Sequence, residues 1–321
     1  MKYKKEFGII GLGRMGANLA RQALRKKMRV AGFTLEGAPK DLIRSGLKEV
    51  RKLEDFVSAL SAPRAIFIYI PAGPDVDKVI IQLAPKLQKG DIIVDGGNSY
   101  WGDSIRRHNK LAQIGIEFVD LGTSGGVEGA LHGACFMAGG NRRSVARIEP
   151  ILKDLAVKDG YVHAGPPGSG HFTKLVHNGI EFGMLQAIGE GVDLLEHYRD
   201  KLNVPDVLRA WRHGSVIRSW LVDLMEHSYR AEKNLQKVPS YVDDTGEVNW
   251  LVSDALQMEV PIPVISQSVM QLFASRDKQK NWSRAIAMMR KGFGSHAYGP
   301  SKPARDERKK GRVGDIMKHL R

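Results

Sequence analysis

Gly11, Gly13 and Gly16 form a G-x-G-x-x-G turn between an apolar run, Phe7 to Ile10, and a stretch of helical spacing, Ala17 to Lys27. Strand, glycine turn and helix in direct succession constrain the fold more than any other feature, because this is the context a dinucleotide-binding βαβ unit requires. Gly11 permits the tight turn, Gly13 lets backbone approach a pyrophosphate, and Gly16 lets helix pack on strand. Leu12, Arg14 and Met15 complete the turn, and the helix N-terminus supplies partial positive charge to a bound phosphate. Further apolar runs follow at 29–33, 65–70, 91–94 and 116–119, with helical stretches such as 75–88 between them. Continuous apolar strands belong in a sheet covered on both faces, so the expected class is α/β, beginning with a Rossmann-type doubly wound parallel sheet.

Turn residues then cluster at Gly165-Pro166-Pro167-Gly168-Ser169-Gly170, and strand signals nearly vanish beyond them. The stretch from His171 to about Tyr198 is almost free of proline and predicts one long helix with Ser169 near its start as a cap. Helical patterns recur at 207–214, 219–231, 250–259, 265–274 and 282–291. The expected organisation is a dinucleotide-binding domain over 1–168, an all-α substrate and dimerisation domain over 169–297, and a basic C-terminal tail over 298–321.

Composition narrows the class further. With 321 residues, 42% of them hydrophobic and 26% charged, the chain is long enough for two globular domains. No run reaches the roughly 18 apolar residues of a membrane span, and Met1 to Lys5 lead straight into a strand pattern, so a cytoplasmic location is expected. The single cysteine, Cys135, excludes an internal disulfide and a thiolate metal site; it is expected to be a small buried residue, and no metal is expected. A net charge of +14 suits anionic ligands. Much of the excess lies after residue 298, where a solvated or partner-docked tail is expected in preference to a nucleic-acid arm.

The end of the second strand bears on the cofactor. An acidic residue there usually holds the ribose hydroxyls of NAD, whereas this chain has Thr34, with Glu36 two residues later. Thr34 with Lys40 or Arg44 suits the 2′-phosphate of NADP, which is favoured slightly over NAD.

Lys174, His177, Asn178 and Glu181 recur at helical spacing and share one face. The intervening Leu175, Val176 and Ile180 suggest a mostly buried helix, where an ammonium and a carboxylate need a reason to be present. The residues alone leave a structural ion pair and a catalytic cluster equally open.

Taken with Gly11 to Gly16, Asp95-Gly96-Gly97-Asn98-Ser99, Thr123 to Gly129 and Phe293-Gly294-Ser295-His296, this helix resembles the 6-phosphogluconate dehydrogenases, especially their short bacterial form. The resemblance spans nearly the whole chain, and His177 and Glu181 match the decarboxylating branch of the wider β-hydroxyacid dehydrogenase superfamily. It implies oxidation of a small anionic 3-hydroxy acid with loss of CO2. Lys174 would be the general base on the C3 hydroxyl, although a lysine at its ordinary value of about 10.4 is almost fully protonated at neutral pH. Glu181 would protonate C1 of the product, and Asn178 and His177 would orient hydroxyls. The resemblance further implies that Ser124, Gly125 and Gly126 cradle the carboxylate, and that Asn98 meets both substrate and nicotinamide ribose. It also implies a homodimer whose second subunit supplies Arg290 and His296.

The family pattern is altered at the phosphate end: Phe182 replaces a tyrosine, Asn249 replaces a lysine, and a family arginine falls near Leu272, with Arg276 as a stand-in. A substrate with a phosphonate, sulfonate or unphosphorylated tail is therefore an alternative. A non-decarboxylating hydroxyacid dehydrogenase or an imine reductase would need Lys174 and Asn178 but no acid at Glu181. A dinucleotide-fold binding protein that had lost catalysis is the remaining rival.

Overall fold

The computed structural model describes residues 5–232, 235–294, 296, 298–300 and 302. The tail expected over 298–321 lies mostly outside the described residues. The chain forms two compact units, Met1–Asn178 and Gly179–Arg321.

The first unit is built on one sheet of eight strands: β1 (Glu6–Ile10), β2 (Arg29–Phe33), β3 (Lys48–Glu49), β4 (Ala65–Ile68), β5 (Ile92–Asp95), β6 (Glu117–Ser124), β7 (Ala134–Gly140) and β8 (Ala156–Gly165). Their spatial order is β3-β2-β1-β4-β5-β6-β7-β8, parallel throughout except where β7 runs antiparallel to β6. The expected doubly wound sheet is present, with three more strands than the apolar runs indicated. Strand order reverses between β1 and β4, and ligands of such sheets bind at the strand C-termini beside that switch point.

Alternation along the strands divides the core into two layers. Phe7 and Ile9 of β1 face one layer with Val94 and Leu121, covered by Leu19, Ala20 and Ala23 of helix Arg14–Arg25 and by Ile148 and Leu152 of helix Arg142–Leu155. Ile10 faces the other with Ile68, Ile93 and Phe118, under Val76 and Leu83 of helix Pro74–Leu83 and Leu111 of helix Trp101–Ala112. Each large side chain buried here contributes about 1.5–3 kcal/mol against solvent exposure, so both faces must stay covered and the active edge is left to the loops.

Among its described residues the second unit contains helices but no strand, as expected: the C-terminal part of helix Ser169–Glu196, then Val204–Trp211, Trp220–Glu232, Glu247–Gln257, Pro263–Arg276 and Asn281–Gly294. Gly179 lets the helices pack closely, since a methyl group there would lie 2.5 Å from Leu251 Cδ2 and 3.2 Å from Ile265. No helix among the described residues is long and apolar enough to cross a membrane.

Two local expectations fail. Cys135 is exposed: it is the second residue of β7, paired with Ser124 at the end of β6. Ile180 is 53% exposed, so the apolar residues of the long helix do not all point inward.

Candidate active site

The glycine turn behaves as its spacing requires. Gly11 has φ +93°, and a methyl group there would sit 2.3 Å from the Tyr69 carbonyl oxygen. At Gly16 a methyl would sit 2.0 Å from the Gly11 carbonyl oxygen, so helix and turn touch backbone to backbone. Gly13 differs: nothing lies within 4 Å of its missing Cβ. Its side is open where it stands as the N-cap of helix Arg14–Arg25, and that open space leaves room for a pyrophosphate at the helix N-terminus. Thr34 follows β2 in a turn closed by its carbonyl accepting from Gly37 N at 3.3 Å, while Leu35 beside it is fully exposed.

The next two edges carry the other candidates. Asp95, wholly buried at the end of β5, accepts from Ser99 Oγ at 2.8 Å and from Gly97 N at 3.2 Å, folding the turn that presents the exposed Asn98. Beside it β6 ends at Ser124, followed by Gly125 (φ +110°) and Gly126 (φ +58°), whose left-handed backbone turns the chain into a short helix. Tyr69 packs between these loops, its ring against Gly96 and its hydroxyl 3.0 Å from Thr123 Oγ1. Burial pushes its phenol up, so Tyr69 stays neutral and serves as packing.

The long helix Ser169–Glu196 is set on the sheet by Asp120 of β6. Its buried carboxylate accepts from Gly168 N at 2.7 Å and His171 N at 2.9 Å, satisfying two amides at the helix start. Ser169, the expected cap, does not do this; its Oγ is buried and finds no hydrogen-bond partner among the described residues. Gly139 and Gly170 permit the contact, since a methyl at Gly170 would lie 2.5 Å from the Asp120 carbonyl oxygen and 2.6 Å from Gly139 N.

That placement brings the helix face to Ser124. Lys174, only 8% exposed, donates from Nζ to Asn178 Oδ1 at 2.7 Å and lies 3.3 Å from His177 Nδ1. His177 Nε2 is in turn 3.0 Å from Ser124 Oγ. A buried ammonium costs much unless acceptors meet it, and here they come from one helical turn further along. Lys174, His177, Asn178 and Ser124 therefore form one connected polar array within the first unit. Glu181 follows a turn later on the same helix, half-buried, in the second unit.

Arg290 and His296 are both exposed, the first on helix Asn281–Gly294 and the second just beyond it. Arg276 Nη1 pairs with Asp244 at 2.7 Å and Asp243 at 3.5 Å, which engages the stand-in cation. No group of three or more His, Cys, Asp and Glu suited to a metal occurs among the described residues.

Asp120 was missed by reasoning from motifs. A lone acid in the apolar run Phe118-Val119-Asp120-Leu121 was the available signal, because a buried carboxylate implies donors close by.

Fold and site together define a protein with a dinucleotide-binding sheet and a polar helix face at its ligand edge. Residues 6–165 match the NAD-binding domain of 6-phosphogluconate dehydrogenase, and residues 170–292 match the C-terminal domain of 6-phosphogluconate dehydrogenase. The chain is 41% identical over 293 residues to YqeC of Bacillus subtilis (strain 168), whose name gives it a provisional assignment as a 6-phosphogluconate dehydrogenase; the match covers 91% of this chain and 98% of that one. It is 37% identical over 294 residues to the NAD(+)-dependent, decarboxylating 6-phosphogluconate dehydrogenase of Haloferax volcanii, covering 91% and 97%. The fold is also that of the Plasmodium falciparum 6-phosphogluconate dehydrogenase, solved with NADP+ and with 6-phosphogluconate, at a TM-score of 0.78 and 24% identity over 94% of this chain and 68% of that one. The chain belongs to the 6-phosphogluconate dehydrogenase family.

Proposed function

We propose that this chain oxidises 6-phosphogluconate at C3 and releases its carboxylate as CO2, giving a ketose phosphate while NADP or NAD is reduced. The observation that carries the reading is the buried Lys174, held by Asn178 and joined through His177 to Ser124 at the C-terminal edge of β6. Residues 1–168 bind the dinucleotide through Gly11, Leu12, Gly13, Arg14, Met15, Gly16 and Thr34, and residues 169–297 complete the substrate site. When bound, the nicotinamide supplies the acceptor for the C3 hydride.

Lys174, as the free amine, takes the C3 hydroxyl proton while hydride leaves the same carbon. Ser124 and the backbone of Gly125 and Gly126 hold the carboxylate, and Asn98, Asn178 and His177 fix the hydroxyls. Loss of CO2 leaves its bonding electrons on the resulting enediol, and Lys174 returns its proton to the C3 oxygen. Glu181 then delivers a proton to the carbon that carried the carboxylate, which becomes C1 of the ketose, while Lys174 takes the proton back from the neighbouring oxygen as it becomes the carbonyl.

The exposed Trp282, Ile286, Met289 and Phe293 on helix Asn281–Gly294 support a homodimer in which a second copy covers them and supplies Arg290 and His296. A cytoplasmic location, without membrane or nucleic-acid partners, completes the reading. Incubating the purified protein with 6-phosphogluconate and either dinucleotide tests it: 340 nm absorbance and CO2 should rise in equal amounts. Reduction without CO2 would sink the decarboxylase and favour a simple hydroxyacid dehydrogenase.

A further inference from the structure

Arg107 lies on helix Trp101–Ala112 with its side chain only 1% exposed, a costly place for a guanidinium unless each N–H is met. All five are. Nε donates to Asp77 Oδ1 at 3.1 Å; Nη1 to Asp95 Oδ2 at 3.1 Å and Ser99 Oγ at 3.3 Å; Nη2 to Asp77 Oδ2 at 3.1 Å and the Gly73 carbonyl at 3.2 Å.

These acceptors come from two different segments of the chain. Gly73 and Asp77 belong to the turn and helix after β4, whereas Asp95 and Ser99 frame the turn after β5 that presents Asn98. The loop after β4 itself touches both neighbours: Tyr69 O abuts Gly11 of the glycine turn, and Ile70 O lies 2.9 Å from where a methyl at Gly97 would be.

We infer that Arg107 is a positioning residue that locks the loop after β4 to the loop after β5, so that Asn98 is held in register with the dinucleotide turn. It touches neither substrate nor dinucleotide and acts through Asp95 and Ser99. A fork of five fixed donors is needed for this, and a lysine, with one point of charge, cannot span both loops. The assignment rests on the proposed reaction only for its effect on turnover; the lock itself is a property of the fold.

The test compares the full-length wild type with Arg107→Lys, Ser99→Ala and Arg106→Ala, the last changing the more exposed arginine that shares Asp77. Amide hydrogen exchange should rise about tenfold in Arg107→Lys at Ala72, Gly73 and Asp75 and at 96–99 together, with β1 and β5 unchanged. KM for 6-phosphogluconate should rise about tenfold or more, with dinucleotide affinity, read by fluorescence titration, shifted less than about threefold. Arg106→Ala should leave both readouts near wild type. Faster exchange across the whole sheet, loosening of one loop alone, or an unchanged KM in an active enzyme would each overturn the inference. If Arg107→Lys does not fold, Ser99→Ala decides: it keeps the ion pairs, and faster exchange in its own loop with a raised KM supports the lock, while no change in either rejects it. Because exchange needs no substrate, paired loosening in a protein that does not turn over 6-phosphogluconate would keep the lock and reject the reaction.

Discussion

Gly122 lies directly beneath Lys174: a methyl group on its Cα would stand 2.5 Å from Lys174 Cβ and 2.9 Å from the Gly170 carbonyl oxygen. The strand can approach the helix this closely only because it has no side chain there. Gly122→Ala should push the helix off β6, lengthen the His177 to Ser124 contact and lower kcat by about tenfold to a hundredfold. Overpacking of this kind also costs about 1–3 kcal/mol. Steady-state kinetics beside a thermal melt separates the two effects, and full activity at an unchanged Tm would contradict the geometry.

The three glycines of the first turn should divide into structural and ligand roles. Gly13 has an ordinary extended backbone (φ −75°, ψ −162°) and open space at its side. Gly13→Val should therefore fold with a near-native Tm yet bind NADP and NAD far more weakly. Gly16→Ala meets the Gly11 carbonyl and should lose about 1–3 kcal/mol of stability before any ligand is added. Calorimetric titration of each variant with both dinucleotides checks the division.

Asp120 offers one oxygen to Gly168 N and the other to His171 N. Asp120→Ala leaves two buried amides without acceptors, at about 1–3 kcal/mol each. Asp120→Asn keeps one acceptor and turns an NH2 toward the other amide, so it should fall between alanine and wild type. Urea unfolding should rank the three, and kcat should follow the same order because the helix start sets the position of Lys174.

Acid should weaken the first unit through Asp77. Burial alone would raise this carboxyl, but hydrogen bonds from Arg107 and Arg106 hold it at about 2, below its ordinary 3.8. Between those values the unfolded chain binds the proton that the folded chain refuses, so stability is intact above about pH 4 and falls as pH drops toward 2. Asp77→Asn should be less stable at neutral pH but show a flatter acid limb. Urea unfolding at pH 7, 3.5 and 2.5 reads the difference; parallel curves for the two proteins would count against the ion pairs.

The sequence showed what depends on local pattern and concealed what depends on distant pairing. Phe7 to Ile10, the glycine turn and the long helix are each written in consecutive residues, and all three appear in the fold. β3 is only two residues, Lys48–Glu49, and carries no periodicity. β8, AVKDGYVHAG, is a half-exposed edge strand interrupted by Asp159 at φ +62° and by Gly160, so it resembled a loop. Within the site, the spacing of Lys174, His177 and Asn178 foretold a shared face. That His177 reaches Ser124, 53 residues earlier, required the β6 register and the glycine contact beneath the helix. The clasp of Asp120 on His171 and the fork of Arg107 are likewise long-range and left no motif.

The close seating of Gly170 on β6 and β7 has a consequence for how the proposed chemistry is shared out. Lys174, His177 and Asn178 are anchored to the sheet and belong to the unit that ends at Asn178, while Glu181 belongs to the unit that begins at Gly179. In the proposed reaction the groups that oxidise the alcohol therefore lie in the first unit, and the acid that finishes the product lies in the second. On that reading, a substitution at Glu181 acts on the second half of the reaction and leaves the buried Lys174 array of the first unit in place.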